Sequence, residues 1–288
     1  MNAAEGATSA TQPVEGVTVA SPVDPPFARI VVGVDQEARS TAALLRGARL
    51  AAMVGAELDL LHVVEHPAAG PHPVTIPELL HGAGRLARRE GLVATSHVLV
   101  GRAADMLAHQ AREWWADLIC LGAGSPGPLG AASTAALRRA LCSVLIARAA
   151  PLDGFPGRIL CAVDGSEGAD EAVRQAAGIA RRGGGASLRL LHVAEEREGD
   201  AHWMARGDRA LRRAGELAAR WDVEVTSEMA VGAPAQTVAG IADVWRPDLV
   251  VVGSRGLRGV GRWLLGSVSE AVARLAPTSV LVARRRPW

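Results

Sequence analysis

The chain has 288 residues, of which 49% are hydrophobic and 21% are charged, and its formal net charge is +1. This composition is typical of a folded protein with a sizeable core and excludes a disordered chain. The balanced charge argues against a polyanion-binding protein. The apolar runs are far shorter than the roughly 20 residues of a membrane helix, and no basic or apolar leader precedes Arg29. We therefore predict a cytoplasmic protein that binds neither nucleic acid nor a membrane.

The chain contains no lysine, so its basic side chains other than histidine are all arginines. This absence excludes a lysine Schiff base and the lysine-containing phosphate loop of many nucleotide-binding proteins. The three cysteines, Cys120, Cys142 and Cys161, have no C-x-x-C spacing. We interpret them as small buried hydrophobic residues rather than as redox or metal-binding groups.

The first residues are rich in proline, alanine and threonine, which predicts a disordered tail. After this tail the sequence repeats itself. Five blocks recur in the same order: 30–35 and 159–164, 60–63 and 190–193, 100–101 and 231–232, 117–122 and 248–253, 143–148 and 279–284. The sequence therefore predicts four segments: a tail at 1–27, a first copy at 28–150, a linker at 151–157 and a second copy at 158–288.

Each copy reads as an α/β domain. The repeated blocks are short, apolar and β-branched, which is typical of buried parallel strands. Alanine-rich stretches of helical length, such as 40–53 and 169–181, separate them, with Ser40 and Ser166 placed as N-caps. We predict a mostly parallel five-stranded sheet in each copy, with helices on both faces.

The last helix of the second copy is predicted from an apolar face made by Val268, Ala271, Val272 and Leu275, at helical spacing.

Ligands of such sheets bind beyond the carboxyl ends of the strands. Asp164, Val193 and Gly253 fall at these ends in the second copy. Asp164 has an alternative role as a brace for the turn or a cap for the next helix. His62 and His192 end equivalent strands, and we interpret them as packed side chains rather than metal ligands.

A glycine-rich segment, 253–269, leads from a strand into the last helix of the second copy. Glycine lets backbone N–H groups approach an anion closely, and a helix N-terminus attracts phosphate. Arg255, Arg258 and Arg262 would supply positive charge, and Ser267 a hydroxyl group at the helix start.

The spacing Gly253-x2-Gly256-x9-Gly266-Ser267, together with the other repeated blocks, resembles the signature of the universal stress protein (UspA) family. The resemblance covers nearly all of residues 28–286 and both copies, as in tandem members. It implies two Rossmann-like open sandwiches of the adenine nucleotide alpha hydrolase-like type. It also implies ATP as the ligand, with or without Mg²⁺, and a link to the stress response.

By position, the resemblance implies that Asp164 contacts adenosine and that Val193 contacts adenine through its backbone. The remaining expected contacts surround the phosphates and ribose: Gly253, Ser254, Arg255 and Gly256 on one side, and Gly266, Ser267, Val268 and Ser269 at the helix start. The second copy departs from many relatives at Ala162, where the first copy has Gly33.

The first copy keeps Asp35 and Val63, but its loop is five residues shorter and contains two prolines, which lack an N–H group. Ala131 stands where the second copy has Ser267. We therefore predict that the first copy binds ATP poorly or not at all.

Three functions stay open on the sequence alone. The first is an ATP-binding regulator without dedicated catalytic residues, with weak hydrolysis at most. The second is an ATP-dependent enzyme of a related fold, which is disfavoured because no catalytic motif can be assembled. The third is a scaffold that has lost the nucleotide. The resemblance further implies that the final strands, 143–148 and 279–284, pair the two copies within one chain, and that chains form homodimers.

Overall fold

The computed structural model describes residues 24–65, 75–123, 127–149, 155–195, 202–255 and 265–285. Strands and helices alternate throughout these residues. The first copy contains β1 (Arg29–Gly33), α1 (Ala38–Val54), β2 (Glu57–Val64), α2 (Ile76–Arg89), β3 (Ala94–Val100), α3 (Ala103–Glu113), β4 (Leu118–Gly122), α4 (Ala131–Arg139) and β5 (Ser143–Ala147). The second contains β6 (Arg158–Ala162), α5 (Glu167–Arg182), β7 (Ser187–Ala194), α6 (His202–Ala219), β8 (Val225–Val231), α7 (Pro234–Trp245), β9 (Leu249–Gly253), α8 (Ser267–Leu275) and β10 (Ser279–Ala283).

The strands of both copies form one sheet in the order β3-β2-β1-β4-β5-β10-β9-β6-β7-β8. Within each copy neighbouring strands run parallel, whereas β5 and β10 pair antiparallel, with Leu145 opposite Leu281. The predicted α/β class is confirmed. The final strands of the two copies pair inside the chain, so the sheet continues across the junction between the copies.

Helices cover both faces of the sheet. Buried side chains of α1, α2, α5 and α6 form a hydrophobic cluster on one face, and those of α3, α4, α7 and α8 form one on the other. The centres of the inner strands are buried, which explains why the apolar repeated blocks do not alternate, whereas the edge strands β3 and β8 are partly exposed. In the part of the chain that the structure describes, no helix has the length and apolarity that crossing a bilayer requires.

The two predicted N-caps have different outcomes. Ser166 caps α5, where its Oγ accepts from Ala169 N at 3.2 Å. The prediction for Ser40 is wrong, because α1 starts earlier and Glu37 is its N-cap. The Ser40 hydroxyl lies inside the first turn and donates to the carbonyl of Asp35 at 2.7 Å.

The last helix begins at Ser267, as predicted, but its buried face differs from the prediction. Val268 and Leu275 are 40% and 41% exposed, while Val272 is fully buried. α8 packs against α7 and β10, and this contact selects a narrower stripe than the apolar pattern suggested.

Two arginines that follow the final strands cross the junction between the copies. Arg148 donates to the carbonyls of Ala273 and Ala276 at the end of α8, at 2.8 and 2.9 Å. Arg284 donates in the same way to the carbonyl of Leu137 in α4. Burial lowers the pKa of Arg148 and lowers that of Arg284 to about 10. Each copy therefore satisfies the carbonyl end of a helix in the other copy.

The segments predicted as tail and linker each contribute one core side chain. Phe27 is fully buried, and Phe155 is 2% exposed, with the Arg46 guanidinium 3.9 Å from its ring centroid. The packed part of each copy therefore begins before the first strand.

Candidate functional site

The carboxyl ends of β6, β7 and β9 meet at one edge of the sheet, because β6 lies between the other two strands. The structure therefore brings together Asp164 after β6, Val193 near the end of β7, and Gly253 at the end of β9. Val193 is half-buried and packs against the cluster on the α3, α4, α7 and α8 face.

Asp164 braces the turn between β6 and α5. Its Oδ1 accepts from Ser166 N at 3.0 Å, and the residue is half-buried. This is the alternative role that the sequence left open, and it holds the carboxylate at the strand end. Contact between Asp164 and a ligand stays a prediction.

The histidines at the equivalent strand ends have structural partners. The Nδ1 of His192 lies 2.8 Å from the carbonyl oxygen of Val163, and the Nδ1 of His62 lies 2.8 Å from that of Val34. Each imidazole therefore holds a strand end to the neighbouring turn, which confirms their interpretation as packed side chains.

The end of β9 packs closely against the start of α5. A Cβ at Gly253 would lie 2.4 Å from the carbonyl carbon of Gly168, and a Cβ at Gly168 would lie 2.3 Å from the carbonyl oxygen of Arg255. The Ser166 hydroxyl donates to the same Arg255 oxygen at 3.2 Å. Sequence reasoning missed Gly168, whose importance depends on a segment about 85 residues away in the chain.

The two ends of the glycine-rich loop are joined by a backbone hydrogen bond. Gly266 N donates to Ser254 O at 2.8 Å, and Ser254 N donates to Ala283 O at 2.9 Å. The loop therefore leaves and re-enters the fold at one point. Gly256, together with Arg258 and Arg262, lies outside the described residues.

The first turn of α8 faces this point. Its N-cap is Gly266, without a side-chain cap, and Ser267 and Val268 are exposed. The amide groups of an uncapped first turn are available to an anion. Ser269 is buried and its hydroxyl donates to Gly253 O at 2.5 Å. That hydroxyl therefore holds α8 against β9.

The equivalent edge of the first copy contains a cavity of about 120 Å³, here called the strand-end cleft. Asp35, Val63 and Ala131 are among its lining residues. Arg39 also lines it and lies 3.9 Å from the Asp35 carboxylate, at the position that Gly168 has in the second copy. The first copy thus keeps a cleft but places a cation beside its carboxylate.

The three cysteines are buried and free, as predicted. Burial raises the pKa of the Cys142 thiol to about 12, and it raises those of Cys120 and Cys161 further. They are therefore protonated packing groups at neutral pH. No described residues form a group of three or more potential metal ligands among His, Cys, Asp and Glu. His66 and His72 lie outside the described residues.

Comparison with known proteins adds family membership to this geometry. The model of the universal stress protein family matches residues 26–148 and again 156–284. A universal stress protein of Mycolicibacterium smegmatis is 29% identical over 291 residues, covering 89% of this chain and 97% of the relative.

The fold also matches solved structures. The crystal structure of a universal stress protein from Archaeoglobus fulgidus has a TM-score of 0.71 at 22% identity, covering 89% of this chain and 98% of that one. A universal stress protein solved in complex with cAMP is 31% identical, covers 44% of this chain and 95% of its own, and has a TM-score of 0.37. Because the family model matches both copies in tandem, the chain belongs to the universal stress protein family.

Proposed function

We propose that this protein is an ATP-binding regulator of the stress response, with ATP held mainly by the second copy, 158–288. The observation that carries the proposal is the junction at Ser254 and Gly266. There a glycine-rich loop is closed by a backbone hydrogen bond beside the uncapped N-terminus of α8. Asp164 and Val193 lie at the neighbouring strand ends, at positions suited to the nucleoside part of the ligand.

The charge of this edge suits a single small anion. The helix N-terminus supplies partial positive charge and free amide groups, and Ser267 and Arg255 stand beside it. No lysine is needed for such a site, which fits a chain without lysine. ATP binding would therefore depend on backbone groups and arginine.

The same groups favour a regulator over an enzyme. Asp164 hydrogen-bonds to the backbone of its own turn and His192 to that of the neighbouring turn, which suits positioning rather than proton transfer. The first turn of α8 offers amides and hydroxyl groups, and its carboxylate, Glu270, is bonded to Arg138. Mg²⁺ would therefore enter with the phosphates. The proposal includes a cytoplasmic location, where ATP is available, and pairing of two chains.

The test is a titration with ATP, followed by melting temperature and tryptophan fluorescence. A Cβ at Gly266 would meet its nearest atoms at 3.4 Å, an ordinary contact, so Gly266→Val should fold and obstruct the ligand. We expect at least tenfold weaker ATP binding in Gly266→Val and in Asp164→Ala.

The matched controls are Gly130→Val and Asp35→Ala in the first copy, which should leave ATP affinity within twofold. AMP, cAMP and GTP serve as competing ligands. An unmodified chain that ATP fails to stabilise would overturn the proposal, as would equal losses in both sets of variants. Turnover of ATP with a second substrate would favour the enzyme.

A further inference from the structure

A second cavity of the first copy lies between α1 and α2 and adjoins the strand-end cleft, with which it shares Val34, Asp35 and Ser40. Its volume is about 250 Å³, and we call it the acidic groove. One wall is formed by the β1–α1 turn and the first turns of α1, and the other by α2. Neither the proposed nucleotide nor the family resemblance accounts for this groove.

The groove lies where the second copy has an ion pair between the equivalent helices. In the second copy Asp170 of α5 is buried, and Arg213 of α6 donates to both of its carboxylate oxygens. This pair fills the space between the two helices. The strand registers place Thr41 and Gly82 at the equivalent positions of α1 and α2. Gly82 has no side chain and Thr41 carries no charge, so these two positions form no ion pair between α1 and α2.

The floor of the groove is apolar. Leu44 is buried on α1, and Leu79, Ala83 and Leu86 line the groove from α2. These side chains offer an aliphatic surface that a ligand could cover, which would remove apolar area from water.

The rim of the groove is acidic. Asp35, Glu37 and Glu78 are among its lining residues, and none of the lining residues that the structure describes is basic. Hydrogen bonds from Thr75 lower the pKa of Glu78, so this carboxylate is ionised at neutral pH. The equivalent of Glu78 in the second copy is Arg209, so the charge of this position is reversed between the copies.

Two guanidinium groups lie next to the residues that line the groove. Arg39 Nη2 bonds to Glu37 at 2.7 Å, and Arg85 Nη2 lies 3.8 Å from where a Cβ of residue 82 would stand. Among the residues that the structure describes, three carboxylates and two guanidinium groups lie at the rim, so their charges sum to one negative charge. A ligand with one ammonium group would neutralise it.

We propose that the acidic groove is a binding site for a small organic monocation, a primary amine with an aliphatic body. The ammonium group is held at the rim by Asp35, Glu37 and Glu78, and the aliphatic body lies on the floor. The site is independent of nucleotide binding in the second copy.

The test uses three probes of the same shape: 3-methylbutylammonium, 3-methylbutanol and 3-methylbutanoate. Binding to the full chain is measured by NMR, from saturation transfer to each probe and from shifts of the amide resonances of α2. We expect the ammonium to bind with a Kd on the order of a millimolar, which is ordinary for a ligand of this size. The alcohol and the carboxylate should bind at least tenfold more weakly.

The matched variant rebuilds the ion pair of the second copy. The space around Gly82 admits a side chain, so Thr41→Asp/Gly82→Arg should fold, close the groove and abolish ammonium binding. Gly82→Leu closes it by volume alone and serves if the double variant does not fold. Glu37→Gln should fold, because the Glu37 side chain does not cap α1. It should weaken ammonium binding several-fold, because it removes one carboxylate from the rim.

An unchanged ATP-dependent rise in melting temperature shows that the variants are intact. The proposal is overturned if no probe binds or if the alcohol or carboxylate binds as tightly as the ammonium. It is also overturned if the ammonium still binds to a folded variant with a closed groove.

Discussion

The two copies agree closely in the contacts that hold the fold. Asp117 accepts from the amides of Ala28 and Arg29 through Oδ2, and Asp248 accepts in the same way from the amides of Gly157 and Arg158. The histidines at the strand ends and the arginines at the junction are duplicated in the same way. These polar contacts therefore belong to the scaffold.

The copies differ in the residues around the strand ends and the first helix of each copy. Ser267 corresponds to Ala131, and Gly168 corresponds to Arg39. The Asp170–Arg213 pair has no equivalent in the first copy. The differences lie where ligands would bind, which suggests that the two copies have diverged in what they bind while keeping one architecture.

The largest loss of stability is expected at a contact that both copies share, where the last strand residue of β4 or β9 packs against the start of α1 or α5. Gly253→Val places a Cβ 2.4 Å from the backbone of Gly168, and Gly122→Val places one 1.9 Å from Arg39 O. Because backbone atoms cannot move aside easily, we expect each to lower the free energy of unfolding by about 3 kcal/mol. Denaturant unfolding measures this. Gly130→Val, with no atom within 4 Å of its Cβ, is the control, and a Gly253→Val variant that unfolds like the unmodified chain would contradict the packing argument.

The next largest loss of stability is expected from breaking the Asp170–Arg213 ion pair of the second copy. Arg213→Ala leaves the buried Asp170 carboxylate without its bidentate partner. Since the Arg213 side chain is 58% exposed, we expect a measurable loss of stability that is smaller than the loss from breaking a fully buried pair. The double variant Asp170→Thr/Arg213→Ala, which imitates the first copy, should be more stable than Arg213→Ala alone. The opposite order in urea melts would show that the pair is not a coupled unit.

The junction should respond to pH. Burial lowers the folded-state pKa of Arg284 to about 10 from an ordinary value of 12.5. The unfolded chain therefore binds more protons between these values, and the contribution of Arg284 to stability rises as pH increases through this window. The control is Arg284→Met, which should cost about 1 kcal/mol at neutral pH because it loses the hydrogen bonds to α4. Relative to this variant, the unmodified chain should gain stability above pH 10. Melting temperatures at pH 8 and pH 10.5 measure this difference, and a constant difference would refute it.

The smallest effect is expected when one residue of the first copy is replaced by its equivalent from the second. Ala131→Ser restores the helix-start hydroxyl, but the loop before it remains five residues shorter and keeps its prolines. We expect ATP affinity and stoichiometry to change by less than twofold in calorimetry. A stronger test replaces residues 122–131 by residues 253–267. A second ATP site in Ala131→Ser alone would show that loop length does not decide ATP binding in the first copy.

Patterns within a short stretch of sequence predicted much of this structure. The apolar blocks located the strands, their repetition located two copies, and the glycine spacing located the start of α8 at Ser267. Each signal reports local backbone preference or burial on both faces of the sheet.

Predictions failed where the outcome depends on a distant partner. Val268 and Leu275 are exposed because α7 and β10 cover only part of α8. The need for glycine at Gly168 comes from the carbonyl of Arg255, and the role of Arg148 comes from a helix of the other copy. No local pattern encodes such contacts.

The antiparallel pairing of β5 with β10 joins the two halves through residues of one covalent chain. Dilution therefore cannot separate them, in contrast to an interface between two chains, whose occupancy follows protein concentration. Substitutions in one half are also not repeated in the other, as they would be in a homodimer. One half can therefore change its ligand while the other keeps its own, and the ratio of the two remains one to one at every expression level.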